Sequence, residues 1–158
     1  MKIFIMKRKG KARSKKTGGA DLPLPPRRRG PLTGRRRFEQ LVQEAVEALP
    51  PELKDQLENV AILVEEEPPP DALGEDGGPG EDQDLLGLYH GVSRKERGFW
   101  YGNTLPDRIV IYRQPLEGIS ASLEELRKNV RETVFHEVGH YFGFDEEELR
   151  DLEEGFDP

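Results

Sequence analysis

Val134-Phe135-His136-Glu137-Val138-Gly139-His140-Tyr141-Phe142-Gly143 is the stretch that decides how the rest of the chain is read. It closes a helical pattern that opens at Ser122. Ser122 and Glu125 form a capping box, in which each side chain satisfies a backbone N–H left orphaned at a helix start. Leu123, Leu126, Val130, Val134 and Phe135 recur at helical spacing and are available to a core, so the spacing predicts a helix from about Leu123 to Phe142. Gly143 stands where a left-handed terminating residue belongs. Asp145 can cap a final helix from Glu146 to about Glu153.

Within that helix His136 and His140 are four apart, so their imidazoles lie on one face, about one turn from each other. That spacing lets two ring nitrogens reach one zinc ion at roughly 2.0–2.1 Å. Glu137 sits one step round the helix, beside the metal without ligating it. From there it can act as general base toward a zinc-activated water. The chain contains only three histidines, so this arrangement around a Glu inside a helix is a specific signal for a metal site. His90, the third, has no partner at ligand spacing and reads as a surface or packing residue.

A catalytic zinc needs a third protein ligand and one open position. Gly143 breaks the helix three residues after His140, so the chain can turn back toward the metal. Glu146, ten residues after His136, is the first candidate. Asp145, Glu147, Glu148 and Glu153 remain alternatives, because acids gather at a helix start for electrostatic reasons alone.

Outward from this site, short apolar runs read as strands: Val60–Val64, Leu85–Tyr89 and Arg108–Tyr112. The first is continuous and β-branched, as in a strand buried on both faces. Upstream, Phe38, Leu41, Val42, Ala45, Val46 and Leu49 trace one face of an amphipathic helix that Pro50-Pro51 ends. The fold class is therefore α+β, in a domain spanning 35–158. Glu65 to Asp84 holds nine acids and no Lys or Arg, and reads as an acidic surface loop.

Charge divides the chain sharply. Residues 1–37 carry 14 Lys/Arg against one acid, a formal +13, and the rest carries −20. Residues 1–34 show no helical or strand period and read as a disordered basic tail. Nonspecific nucleic-acid contact through it is an expectation from charge alone. No segment approaches the roughly 20 apolar residues needed to span a bilayer, and residues 1–6 are too short an apolar run for a signal sequence. The absence of cysteine excludes thiol nucleophiles and Cys-based zinc, and suits a cytoplasmic setting.

From Phe38 to Leu149 the chain resembles the bacterial minimal-zincin family of zincin-like metallopeptidases. The resemblance rests on Phe38-Glu39-x-Leu41-Val42, Asn59-Val60-Ala61, Leu86-Gly87-Leu88-Tyr89 with Gly91, and Arg97-Gly98. It continues through Leu105-Pro106-Asp107-Arg108-Ile109, Tyr112-Arg113-x-Pro115-Leu116 and His136 to Gly143. It implies a reduced zincin core, in which a small mixed sheet packs against an N-terminal helix and an active-site helix. It also implies zinc and hydrolysis of a peptide or protein substrate. Related proteins place Asp or His at the tenth position, where this chain has Glu146. The resemblance further suggests that a strand edge receives the peptide backbone, with Phe99–Gly102 or Arg108–Tyr112 as candidates and Tyr101 as an oxyanion donor. The alternative function is a noncatalytic zinc-binding module on the same scaffold.

Overall fold

The computed structural model describes residues 31–70, 85–98 and 105–155, the last three by backbone alone. Helix α1 (Arg35–Glu47) leads to a single turn, α2 (Pro51–Lys54), and strand β1 (Val60–Glu65). Strand β2 (Gly87–His90), a 3₁₀ turn (Arg94–Glu96) and strand β3 (Asp107–Tyr112) follow. The chain ends with α3 (Arg113–Ile119), α4 (Leu123–Phe142) and α5 (Glu146–Gly155). Phe99–Gly102, Tyr101 and most of the basic tail and acidic loop lie outside the described residues.

The sheet is mixed, in the order β1-β3-β2. β1 runs parallel to β3, pairing Val60 with Asp107 and Glu65 with Tyr112. β2 runs antiparallel to β3, pairing Gly87 with Ile111 and His90 with Arg108. One core joins the sheet to α1 and α4: Ile62, Val64, Ile109 and Ile111 meet Phe38, Leu41, Val42, Leu126, Val130, Val134 and Val138, all buried. The apolar face expected of α1 is the face that packs, with Leu49 following it into the core.

β1 alternates buried and half-buried residues. It is thus not the doubly buried strand that its unbroken apolar run suggests. The reason is its place at the outside of the sheet, where only the face bearing Val60, Ile62 and Val64 joins the helical core. Leu123, expected at the core, stands exposed in the first position of α4.

Residues next to the basic tail and the acidic loop also take part in the fold. Leu32 packs on the core and Thr33 is buried, so chain contacts begin before Arg35. Glu66, read as part of the acidic loop, is drawn into an ion-pair group. It meets Arg113 at 2.6 Å and Arg35 at 3.2 Å, and Arg113 also reaches Glu117 at 3.0 Å. The adjacent Arg113 guanidinium holds the Glu66 carboxyl below its usual range. α3, which carries Arg113 and Glu117 one turn apart, was not evident from periodicity. Its Pro115 sits in the first turn, where the missing N–H has no intrahelical partner to lose. Among the described residues no helix is long and apolar enough to cross a membrane.

Candidate metal centre

α4 begins and ends where its sequence signals place it. The Glu125 N–H donates to Ser122 Oγ at 3.1 Å, and Glu125 Oε2 accepts from the Ala121 N–H at 2.7 Å. At the other end Gly143 is left-handed, at φ 85°. The Gly143 and Phe144 N–H groups both return to the Gly139 carbonyl. A side chain at this φ would be strained, so the residue type sets the direction in which the chain leaves the helix.

That exit brings α5 back over the histidines. Asp145 Oδ1 accepts from the N–H groups of Glu147 and Glu148, and Glu148 Oε2 accepts from the Asp145 N–H at 2.9 Å. Asp145 and Glu148 are therefore occupied in capping α5, and Glu148 also meets Lys95 Nζ at 2.9 Å. The Asp145 N–H, and then the Lys95 ammonium, hold the Glu148 carboxyl below its usual range. Leu149, buried, packs against Gly139, where an added Cβ would collide with Leu149 Cδ2.

The result is a convergence of donor atoms. His136 Nε2 and His140 Nε2 lie 3.1 Å apart, with the rings nearly perpendicular at 86°. Glu146 Oε1 is 3.6 Å from His140 Nε2 and 3.9 Å from His136 Nε2. Bond lengths of 2.0–2.1 Å in a tetrahedral centre separate ligand atoms by roughly 3.3 Å. Two imidazoles and a carboxylate at this spacing fit a single small cation. Among the described residues, these three form the His/Cys/Asp/Glu group close enough to hold a metal ion. His90 lies exposed at the end of β2 and is not part of the group.

Glu137 is buried, at 7% exposure, against β2. Gly87 makes room for it: a Cβ there would lie 3.0 Å from Glu137 Cγ and 2.8 Å from Thr133 Cγ2. Burial pushes the Glu137 carboxyl up to about 7, against the opposing effects of His136 and of the Tyr89 backbone N–H that donates to it. Burial, and then the neighbouring His136 imidazole, push the His140 pKa down, which favours the neutral ring that a metal requires.

A family model described as zincin-like metallopeptidase matches residues 57–156. The chain belongs to this family. No curated protein matches the chain. Zincin-like metallopeptidases hold a metal ion, and the matched segment contains every residue of the convergent group.

Of the two expected substrate edges, Phe99–Gly102 lies outside the described residues and Arg108–Tyr112 offers no free edge. Arg108–Tyr112 lies in β3, the central strand, with neighbours on both sides, and its backbone is already paired. The strand beside the metal group is β2, which is hydrogen-bonded on its β3 side. Gly87, Leu88 and Tyr89 line a groove with His136, Glu137, His140 and Glu146. The sequence signal for this was Gly87, whose missing side chain admits Glu137. A second cavity of about 350 Å³ adjoins it, walled by Leu85, Leu86, Ile119 and Thr133 and reaching His136 and Glu137.

The Tyr89 phenol is engaged with a carboxylate of β3. Its hydroxyl donates to Asp107 Oδ2 at 3.0 Å, and Asp107 is also ion-paired with Arg97. Burial and that carboxylate raise the Tyr89 pKa, so it stays a neutral phenol. Arg97 in turn lies 4.8 Å over the Tyr141 ring, whose hydroxyl donates to the Glu58 carbonyl at 3.0 Å. These contacts fix β2 and the end of α4 relative to each other.

Proposed function

We propose that this protein is a zinc-dependent metallopeptidase whose ligands are His136, His140 and Glu146 and whose general base is Glu137. The observation that carries the reading is the approach of three donor atoms from α4 and α5, with the buried Glu137 carboxylate alongside. Zinc bound there supplies Lewis acidity, which activates water and polarises the scissile carbonyl.

The chain's own groups supply the rest. An extended peptide can lie along β2, using backbone hydrogen bonds for affinity and the adjoining apolar cavity for one side chain. Glu137 accepts the proton of the attacking water as the new C–O bond forms. It then delivers that proton to the amine nitrogen as the C–N bond breaks. Its placement under Gly87, with the Tyr89 N–H on its carboxylate, restricts the proton acceptor to one orientation.

Metal content and peptide cleavage test this together. Glu137→Gln should retain wild-type zinc stoichiometry and lose cleavage of unstructured peptides by a factor of about 10²–10⁴, the usual worth of a general base. His136→Ala and Glu146→Ala should lose zinc, whereas Glu153→Ala should keep it. Full zinc in Glu146→Ala would overturn the ligand set. Zinc binding by a wild-type chain that cleaves no unfolded substrate would favour the noncatalytic binding module.

A further inference from the structure

We infer that Lys95 is a positioning residue that holds the start of α5 so that Glu146 meets the two histidines; this rests on the ligand reading above. Among the described residues, the polar partners of Glu146 are the two imidazoles alone, and its side chain is 70% exposed. The position of its carboxylate must therefore come from the backbone of residues 143–149.

That backbone is gripped from two sides. On the inner side Leu149 fills the space left by Gly139. On the outer side stands the 3₁₀ turn Arg94–Glu96. Lys95 Nζ meets Glu148 Oε2 at 2.9 Å and Oε1 at 3.3 Å, and lies 5.7 Å over the Phe144 ring. The Lys95 stem lies against Gly143, where an added Cβ would come 3.0 Å from Lys95 Cβ.

The turn can bear on α5 because it is itself anchored. Arg94 Nη1 donates to the Gln56 carbonyl at 3.1 Å and stacks over Phe142 at 5.7 Å. Arg97, one residue beyond the turn, is ion-paired with the buried Asp107 of β3. A chain of contacts thus runs from β3 through the turn to Glu148, two residues from the proposed ligand. Lys95 and Glu148 are both substantially exposed, and such pairs contribute little to global stability. Outer contacts that orient a ligand can nevertheless change metal affinity by roughly 10–100-fold when buried.

The sign of the effect separates positioning from simple charge. Removing a nearby cation should tighten the binding of Zn²⁺, whereas releasing a positioned ligand should weaken it. The test is zinc affinity of the full chain by competition with a chelating dye. Lys95→Ala should weaken binding about three- to tenfold, below the buried-contact range because the pair is exposed. Lys95→Arg should restore it, and the melting temperature of the zinc-free protein should barely move. In a Glu148→Ala background, Lys95→Ala should add no further loss. Unchanged or tighter zinc binding in Lys95→Ala, or an equal loss in the Glu148→Ala background, would overturn the positioning role. A wild-type chain that binds no zinc would overturn the ligand reading itself, and the positioning role with it.

Discussion

Leu149 of α5 occupies the space that Gly139 leaves on α4, between the two histidines in sequence. Gly at this helix-interior position is not a concession to backbone flexibility. It lets a second helix approach closely enough to present a carboxylate to the first.

Gly139→Ala should therefore reverse the usual helix preference. In an open helix the change would stabilise by about 0.5–1 kcal/mol. Here the new methyl meets Leu149, and overpacking costs about 1–3 kcal/mol. Thermal unfolding should show a net loss, together with weaker zinc binding as α5 is displaced. Pairing Gly139→Ala with Leu149→Ala should recover part of the metal affinity; a stabilised Gly139→Ala single variant would contradict the packing argument.

The zinc-free protein should lose stability as pH rises toward neutrality on account of Glu137. Its carboxyl is raised from 4.5 to about 7 in the folded chain. The folded state thus binds that proton more tightly, and the stabilisation is complete below about 4.5 and lost as pH rises through about 7. The size is on the order of 3 kcal/mol, at about 1.4 kcal/mol for each pKa unit. His140, whose pKa is lowered by burial, acts in the opposite sense. Comparing wild type with Glu137→Gln isolates the carboxyl: the stability gained by the Gln variant relative to wild type should grow between pH 5 and pH 8. A pH-independent difference would show that Glu137 is not buried as described.

Arg113→Ala should destabilise the fold by about 1–2 kcal/mol while leaving zinc affinity unchanged. Arg113 joins Glu66, Glu117 and the Thr33 carbonyl, so its loss takes a charged donor from several half-buried acceptors. The group joins the residue after β1 to α3 and the segment before α1, and none of its members lines the groove at the histidines. Because the Glu66 pKa is lowered, its share of stability is present above the ordinary carboxylate range and lost as pH falls through the folded value. Denaturant titrations at neutral and acidic pH should show the Arg113→Ala penalty shrinking in acid.

Gly87→Ala should impair the proton acceptor more than the metal. The added Cβ would press on Glu137 Cγ at 3.0 Å and Thr133 Cγ2 at 2.8 Å, contacts that must shift. Zinc stoichiometry should hold, since the atoms nearest the new methyl belong to Thr133 and Glu137 rather than to either histidine. Peptide cleavage should fall at least tenfold, because small displacements of a catalytic group are costly. Full cleavage in Gly87→Ala would show that the Glu137 carboxylate tolerates displacement.

The sequence by itself determined the elements whose signals are local. Ser122 with Glu125 and Gly143 bound α4 at both ends, Asp145 caps α5, and the period from Phe38 to Leu49 set the buried face of α1. Capping and amphipathicity act within one or two turns, so they can be read without knowing what lies opposite. The His136–His140 pair is legible for the same reason.

What only the tertiary structure decided depends on neighbours distant in the chain. Strand order made Arg108–Tyr112 a central strand and put β2 beside the histidines, because hydrogen-bonded pairing is not encoded in one strand's own pattern. Among the consecutive acids 145–148, composition could not tell which cap α5 and which faces the histidines. The left-handed exit at Gly143, the packing of Leu149 on Gly139 and the reach of Lys95 to Glu148 fixed the rotation of α5, and that rotation is what turns Glu146 toward the imidazoles.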